Sequence, residues 1–201
     1  MATIGGVALA AYLLGSIPAA YLVGRLAGRI DIRVAGEGNV GARNVFHEVG
    51  AGWGVVVFAA DFGKGAAVAL AFQSRPASQL AVAAVFLILG HAYPIWLGFV
   101  GGKGVAAAIG FGAALMPWAA LAAVAVAGVA WASTRRFLPT LVPAAVALFA
   151  IAPFTGVEPA VIGAVLAGFG VVAAKRAFDE PRMRRIEAET GWDRHLGGST
   201  R

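Results

Sequence analysis

The sequence predicts an all-α polytopic membrane protein, and three observations carry that prediction. Sixty per cent of the 201 residues are hydrophobic and only 13% are charged, far from the balance of a soluble domain. Mean hydropathy is +0.80, and apolar runs recur at lengths near the roughly 20 residues that one helical bilayer crossing needs. The 28 glycines, with many alanines, suit close helix–helix contact in lipid, where small residues let backbones approach. The absence of cysteine excludes disulfides, thiolate nucleophiles and cysteine-built metal sites. A net charge of +6 would suggest nucleic acid in a soluble chain. Here the charges sit at helix ends, so they read as orientation signals, and no nucleic-acid partner is expected.

The first helix is expected over about Ile4 to Val23. It contains Gly15-Ser16-Ile17-Pro18, and Pro18 removes a backbone donor and kinks the helix. Ser16 lies about 18 Å along it, in the half next to a polar loop spanning Gly24 to Gly50. A serine here either satisfies its own helix backbone or faces a substrate. No Lys or Arg precedes Arg25, so no basic signal-peptide region is present and the first helix is expected in the mature protein.

The chain is organised around the polar stretch Arg33 to Asn44, which holds three glycines, two asparagines and two arginines. Gly36, Gly38 and Gly41 permit tight turns and close backbone approach to a ligand, and Arg33 and Arg43 add forked donors suited to phosphate. The glycine spacing also fits the dinucleotide fingerprint, but no strand precedes it.

A second helix is expected from about Ala51 to Phe72. Asp61 and Lys64, three residues apart, share a face and can pair. They read either as a buried ion pair holding helices in register or as substrate-facing groups. A third helix, about Gln79 to Leu97, carries His91, Pro94 and Trp96. His91 comes out at a depth similar to Ser16, and either contacts substrate or braces the helices. Gly98 to Gly104 follows, with Gly101, Gly102, Lys103 and Gly104 opening a short helix from about Val105 to Met116. Free N–H groups at that start beside Lys103 would form a phosphate site, although the Ser/Thr that a P-loop requires is missing. Further helices are expected at about 118–133, 138–152 and 159–174, then a basic tail with Arg182, Arg184 and Arg185, read as a surface helix or a partly disordered end.

Treating 105–116 and 118–133 as separate spans gives seven crossings. Every Lys and Arg outside the spans except Arg75 then falls on one side, and the positive-inside rule sets the N-terminus outside and the C-terminus in the cytosol. The organisation expected is a membrane domain over 1–176 and a cytosolic basic tail over 177–201. Carboxylates and histidines do not cluster at ligand spacing, so no metal site and no cofactor are expected, and no nucleophile–base–orienter set is present.

Taken together and in order, the motifs resemble those of the bacterial acyl-phosphate:glycerol-3-phosphate acyltransferases (the PlsY type). They are Gly15-Ser16-Ile17-Pro18; Arg33; Gly36-x-Gly38-Asn39-x-Gly41-x-x-Asn44; Asp61-x-x-Lys64-Gly65; Gly90-His91-x-x-Pro94; and Phe99-x-Gly101-Gly102-Lys103-Gly104-Val105. The resemblance covers about residues 10 to 110. It implies a seven-span inner-membrane enzyme with a cytosolic active face that transfers a fatty acyl group from acyl phosphate to glycerol 3-phosphate, giving lysophosphatidic acid. An acyl phosphate already carries a good leaving group, so binding, alignment and charge neutralisation are the chief requirements. On this reading Ser16, Arg33, Asn44, His91 and Lys103 are the catalytic candidates. Gly36, Gly38, Asn39, Gly41, Gly101, Gly102 and Gly104 are the phosphate-binding set. The chain departs from the family pattern at Glu37 (usually Ser), Arg43 (Thr), His47 (Arg), Val100 (Lys) and Ala107 (Thr). In the tail, Phe178 and Pro181 stand where a His and an Asn are usual. A paired Glu37 and Arg43 would be a compensated exchange. The departures keep open a diverged paralogue that binds a phosphorylated precursor without this turnover, and an anion transporter is the third reading.

Overall fold

The computed structural model describes residues 3–193 and 198–199. Its architecture is helical: α1 (Ile4–Gly15), α2 (Ala19–Leu26), α3 (Ala42–Glu48), α4 (Ala51–Phe72), α5 (Ala77–Ala92), α6 (Val105–Leu115), α7 (Pro117–Thr134), α8 (Phe137–Ile151) and α9 (Pro159–Thr190). A two-residue hairpin, β1 (Trp192–Asp193) with β2 (Gly198–Ser199), is the exception. Among the described residues, five segments are long and apolar enough to cross a membrane: 4–26 taken through its break, 51–72, 77–97, 117–134 and 159–190. Helices Val105–Leu115 and Pro139–Thr155 are apolar but shorter.

The core is built by backbone contact. Gly15 of α1 lies against the Leu87 carbonyl of α5, and Gly90 of α5 lies against the Tyr12 carbonyl of α1. Gly65 of α4 and Gly110 of α6 make the same reciprocal exchange with the carbonyls of Ala107 and Phe62. A Cβ at any of the four would collide with main chain. These are the close approaches that small residues permit between apolar helices. Around these seams Val7, Val68, Leu80, Leu87, Ile88 and Phe111 are fully buried. By contrast α7 buries only Ala119 and packs mainly on α8, leaving Leu121, Val124 and Val129 exposed as a lipid-facing surface requires.

Three elements depart from the sequence reading. The first span does not merely kink at Pro18. It breaks, with Ser16, Ile17 and Pro18 between α1 and α2, because Pro18 cannot donate and the turn carries no capping side chain. The polar loop contains a helix, α3, whose seven residues are too short and polar to register as periodic. The last helix does not end near residue 174. It runs through Pro181 to Thr190, where Gly191 at φ 70° closes it as glycine past a helix end commonly does. The tail expected over 177–201 is therefore helical as far as Thr190, and its residues 194–197 and 200–201 lie outside the described residues.

Candidate active site

The break in the first span, the polar stretch, α4 and α5 converge on a small hollow. Its walls include Ser16, Ile17, Pro18, Val40, Asp61, His91 and Pro94. Breaking the helix exposes the Ile17 carbonyl, and Lys64 Nζ of α4 donates to it at 3.1 Å. The same ammonium lies 2.8 Å from Asp61 Oδ1 and 2.8 Å from His91 Nδ1. The Ile17 carbonyl and the His91 ring nitrogen thus accept from the ammonium, and the Asp61 carboxylate beside it balances its charge, which is what a buried lysine requires. Because His91 Nδ1 accepts from an ammonium, the neutral ring carries its proton on Nε2. The expected Asp61–Lys64 pair forms, and it is a three-membered cluster with His91. Sequence spacing could show the i,i+3 pair but not the partner 27 residues away.

Ser16 is fully buried. Its hydroxyl donates to the Leu13 carbonyl at 2.8 Å and accepts from Trp96 Nε1 at 2.9 Å. The backbone-satisfied reading therefore describes its donor, and Trp96, which spacing did not single out as a partner, holds its acceptor side.

The polar stretch is shaped by Asn44. Its side chain, 0% exposed, donates through Nδ2 to the carbonyls of Ile32, Ala35 and Asn39 at 2.9–3.1 Å, and its Oδ1 accepts from Glu37 N–H at 3.2 Å. An amide so committed fixes the loop and leaves nothing to orient a substrate oxygen, which revises the expectation for Asn44. Gly36 (φ 56°) and Gly38 (φ 67°) take left-handed backbone, where a side chain is strained. The N–H groups of Gly38 and Gly41 turn back to Ala35 and Asn39, so these two glycines bend the loop rather than donate from it. The N–H groups of Asn39 and Val40 find no acceptor among the described residues, and Asn39 Oδ1 is buried without a partner.

Arg33 forks onto Asp31, with Nη2 2.7 Å from Oδ2 and Nε 2.9 Å from Oδ1. That guanidinium holds the Asp31 carboxyl down at about 2 and Asp31 in turn raises Arg33, so both stay charged. Asp31 was missed by the sequence reading, although an acid two residues from a candidate phosphate arginine is a visible signal. Arg33 Nη1 also reaches the Leu97 carbonyl, and Gly102 packs against the Val40 carbonyl and His91 Nε2. The two glycine-rich stretches therefore meet. Within the second, Gly101 N–H donates to the Ala92 carbonyl at 3.0 Å and Gly102 N–H to the His91 carbonyl at 3.2 Å. These amides are spent inside the protein, so as phosphate donors they are withdrawn. Gly104 (φ 82°) turns the chain into α6, and Lys103 stands between it and Gly102, at the junction.

The motif departures also have places. Glu37, 2% exposed, pairs with Arg43 Nη1 at 3.1 Å. Arg43 lies 5.9 Å from the Trp192 ring, and His47 meets the same ring edge-on at 5.2 Å. Burial, then the Arg43 charge, hold the His47 imidazole below its usual value. In the tail, Phe178 is 75% exposed, and Pro181 lies within α9. Lys175 and Asp179 form a buried pair at 2.6 Å, with Lys175 Nζ 4.5 Å from the Tyr93 ring.

A family model described as glycerol-3-phosphate acyltransferase matches residues 6–180. The protein named glycerol-3-phosphate acyltransferase 2 of Dehalococcoides mccartyi (strain ATCC BAA-2266 / KCTC 15142 / 195) is 41% identical over 187 residues, covering 91% of this chain and 87% of that one. That of Anaeromyxobacter sp. (strain K), named glycerol-3-phosphate acyltransferase, is 42% identical over 132 residues, 63% of this chain and 66% of its own. Among solved structures, the glycerol 3-phosphate form of PlsY (YgiH), an integral membrane glycerol 3-phosphate acyltransferase, superposes with a TM-score of 0.78 at 32% identity. It covers 92% of this chain and 93% of that one.

Proposed function

The chain belongs to the glycerol-3-phosphate acyltransferase family, and from that premise we propose that it is a membrane-embedded acyltransferase making lysophosphatidic acid, with acyl phosphate as donor and glycerol 3-phosphate as acceptor. One observation supports this most directly: two glycine-rich stretches, each with its cation, meet beside the hollow at the broken first span, where Arg33 reaches Leu97 and Gly102 packs on Val40. A donor with a lipid tail and an acceptor with a phosphate both need such a place, cationic and at the edge of apolar helices.

In the reaction the 1-hydroxyl oxygen of glycerol 3-phosphate attacks the acyl carbonyl. The ester C–O bond forms, the C–O bond to phosphate breaks, and inorganic phosphate leaves with the hydroxyl proton. Arg33 and Lys103 neutralise phosphate charge. The Asn39 and Val40 N–H groups supply the cradle, and the Asn39 side-chain oxygen accepts from a substrate hydroxyl. Gly36, Gly38, Gly41, Gly104 and Asn44 give the backbone its form. The Asp61–Lys64–His91 cluster fixes the floor and aims His91 Nε2–H, and Ser16 is locked against Trp96. We place seven crossings, with α6 and α8 as short ones, the N-terminus outside, and the active face on the cytosolic side of the bacterial inner membrane, because that arrangement puts the cationic loops on one side. The residues 1–176 then form the membrane domain, and the segment from 177 is cytosolic.

The test is product formation by purified protein in detergent, from palmitoyl phosphate and labelled glycerol 3-phosphate. The parent is expected to make lysophosphatidic acid, and Arg33→Ala and Lys103→Ala to lose about 100-fold or more, as deleting a charge-stabilising donor does. No product from folded parent would overturn the reading. Retained binding of glycerol 3-phosphate in that case would identify a diverged paralogue.

A further inference from the structure

The last turns of α9 grip the polar loop. Arg182, Ile186 and Thr190 are spaced by four and so lie on one helix face. Arg182 Nη2 donates to the Arg33 carbonyl at 2.9 Å, and its Nη1 reaches the Gly38 carbonyl at 3.4 Å. The Thr190 hydroxyl is 2.7 Å from the Gly36 carbonyl, closer than the Ile186 carbonyl of its own helix at 2.9 Å. Ile186 covers Gly38, where a Cβ would meet Ile186 Cδ1 at 2.6 Å.

Three loop carbonyls therefore turn toward one helix face. In a trans peptide the C=O and the following N–H point in opposite directions. Turning the carbonyls of 33, 36 and 38 toward α9 aims the N–H groups of 34, 37 and 39 away from it. Two of these have protein acceptors on the far side: Val34 N–H donates to the Asp31 carbonyl and Glu37 N–H to Asn44 Oδ1. The third, Asn39 N–H, is left for a ligand.

We infer that Arg182 and Thr190 are positioning residues that set the direction of the Asn39 amide, and through it the affinity for the acceptor's phosphate. Neither touches the substrate. The inference rests on the acyltransferase reading for its consequence but not for its geometry. The end of α9 reinforces the grip through Trp192, whose ring lies beside Arg43 and meets His47 edge-on, so two of the motif departures lie under the same helix end.

The experiment compares the parent with Arg182→Ala, Arg182→Lys and Thr190→Val, using Arg185→Ala on the exposed side of α9 as control. Hydrogen exchange of peptides covering 31–45 is measured beside that of α4 and α5, together with kcat and KM for glycerol 3-phosphate. Arg182→Ala is expected to exchange at least fivefold faster in the loop alone and to raise KM at least tenfold with kcat within threefold. Arg182→Lys, which keeps one donor, restores part of the KM, and Arg185→Ala matches the parent. Unchanged loop exchange, faster exchange without a KM change, or a fall in kcat alone would each overturn the inference. If the parent makes no product, calorimetric binding of glycerol 3-phosphate replaces KM. Weaker binding in Arg182→Ala then upholds the positioning role while the acyltransferase reading falls, and no binding by the parent overturns both.

Discussion

The two glycine-rich stretches look alike in the sequence, each a run of glycines beside a cation, yet their glycines answer different demands. In the first, Gly36 and Gly38 are required by the backbone, which turns left-handed there, and side chains from Asn44, Glu48 and Ile186 fill the space around them. In the second, Gly101 and Gly102 are required by proximity, because main chain from His91, Ala92 and Val40 lies where a Cβ would be. The first stretch is held by side chains: Asn44 from within, Asp31 on Arg33, and Arg182 and Thr190 from α9. The second is held by backbone hydrogen bonds to α5 and to the turn after it. The difference teaches which stretch can adapt. One held by side chains can be retuned by substitution. One held by main chain cannot.

This contrast can be broken most forcibly at Gly102. Gly102→Ala drives a methyl into the Val40 carbonyl and the His91 ring, neither of which can yield. It is expected to cost about 3 kcal/mol, the upper part of the overpacking range, and to remove detectable turnover, read as the thermal midpoint in detergent and as product formed. The matching change in the first stretch should be milder. Gly38→Ala meets side chain and no main chain, with Ile186 Cδ1 at 2.6 Å, Cγ2 at 2.9 Å and Cβ at 3.2 Å, so Ile186 can turn aside in part and the largest cost is left-handed backbone, about 1–2 kcal/mol. Adding Ile186→Ala sharpens the comparison: it relieves the collision but not the backbone strain, so most of the Gly38→Ala loss persists in a background that already has room. A midpoint that returned to that of Ile186→Ala alone would show that space, not φ, governs Gly38.

The smallest effect expected is that of pH. Arg33 holds Asp31 below its ordinary value, so on acidification the unfolded chain takes up this proton before the folded one does. The contribution of the pair is complete above about pH 4 and is lost as pH falls toward the folded value of about 2. Hydrogen exchange in residues 31–45 should therefore quicken, relative to Gly101 and Gly102, across that interval. Asp31→Asn should flatten the response, and equal quickening in both stretches would contradict the distinction.

The helices of the membrane were legible because lipid imposes a length and a composition, and the expected bounds of α4 coincide with those observed. That Ser16 and His91 lie at similar depth followed from their positions along their helices, and both line the hollow. What escaped was set by partners distant in sequence. Arg182 reads as one more basic tail residue until Arg33 and Gly38 lie beneath it. The amides of Gly101 and Gly102 read as free until α5 supplies acceptors. Asn44 carries an amide that could serve a substrate or a loop, and only the three carbonyls around it decide.

The reciprocal glycine–carbonyl seams of α1 with α5 and α4 with α6 have a consequence for how descent should be read. Gly15, Gly65, Gly90 and Gly110 are fixed by fit between backbones, whatever chemistry the hollow performs. A descendant that lost turnover altogether would still have to keep them to fold. Identity at these four positions is therefore a record of shared architecture and carries no vote on activity, which the proposed reaction assigns instead to Arg33, Asn39 and Lys103.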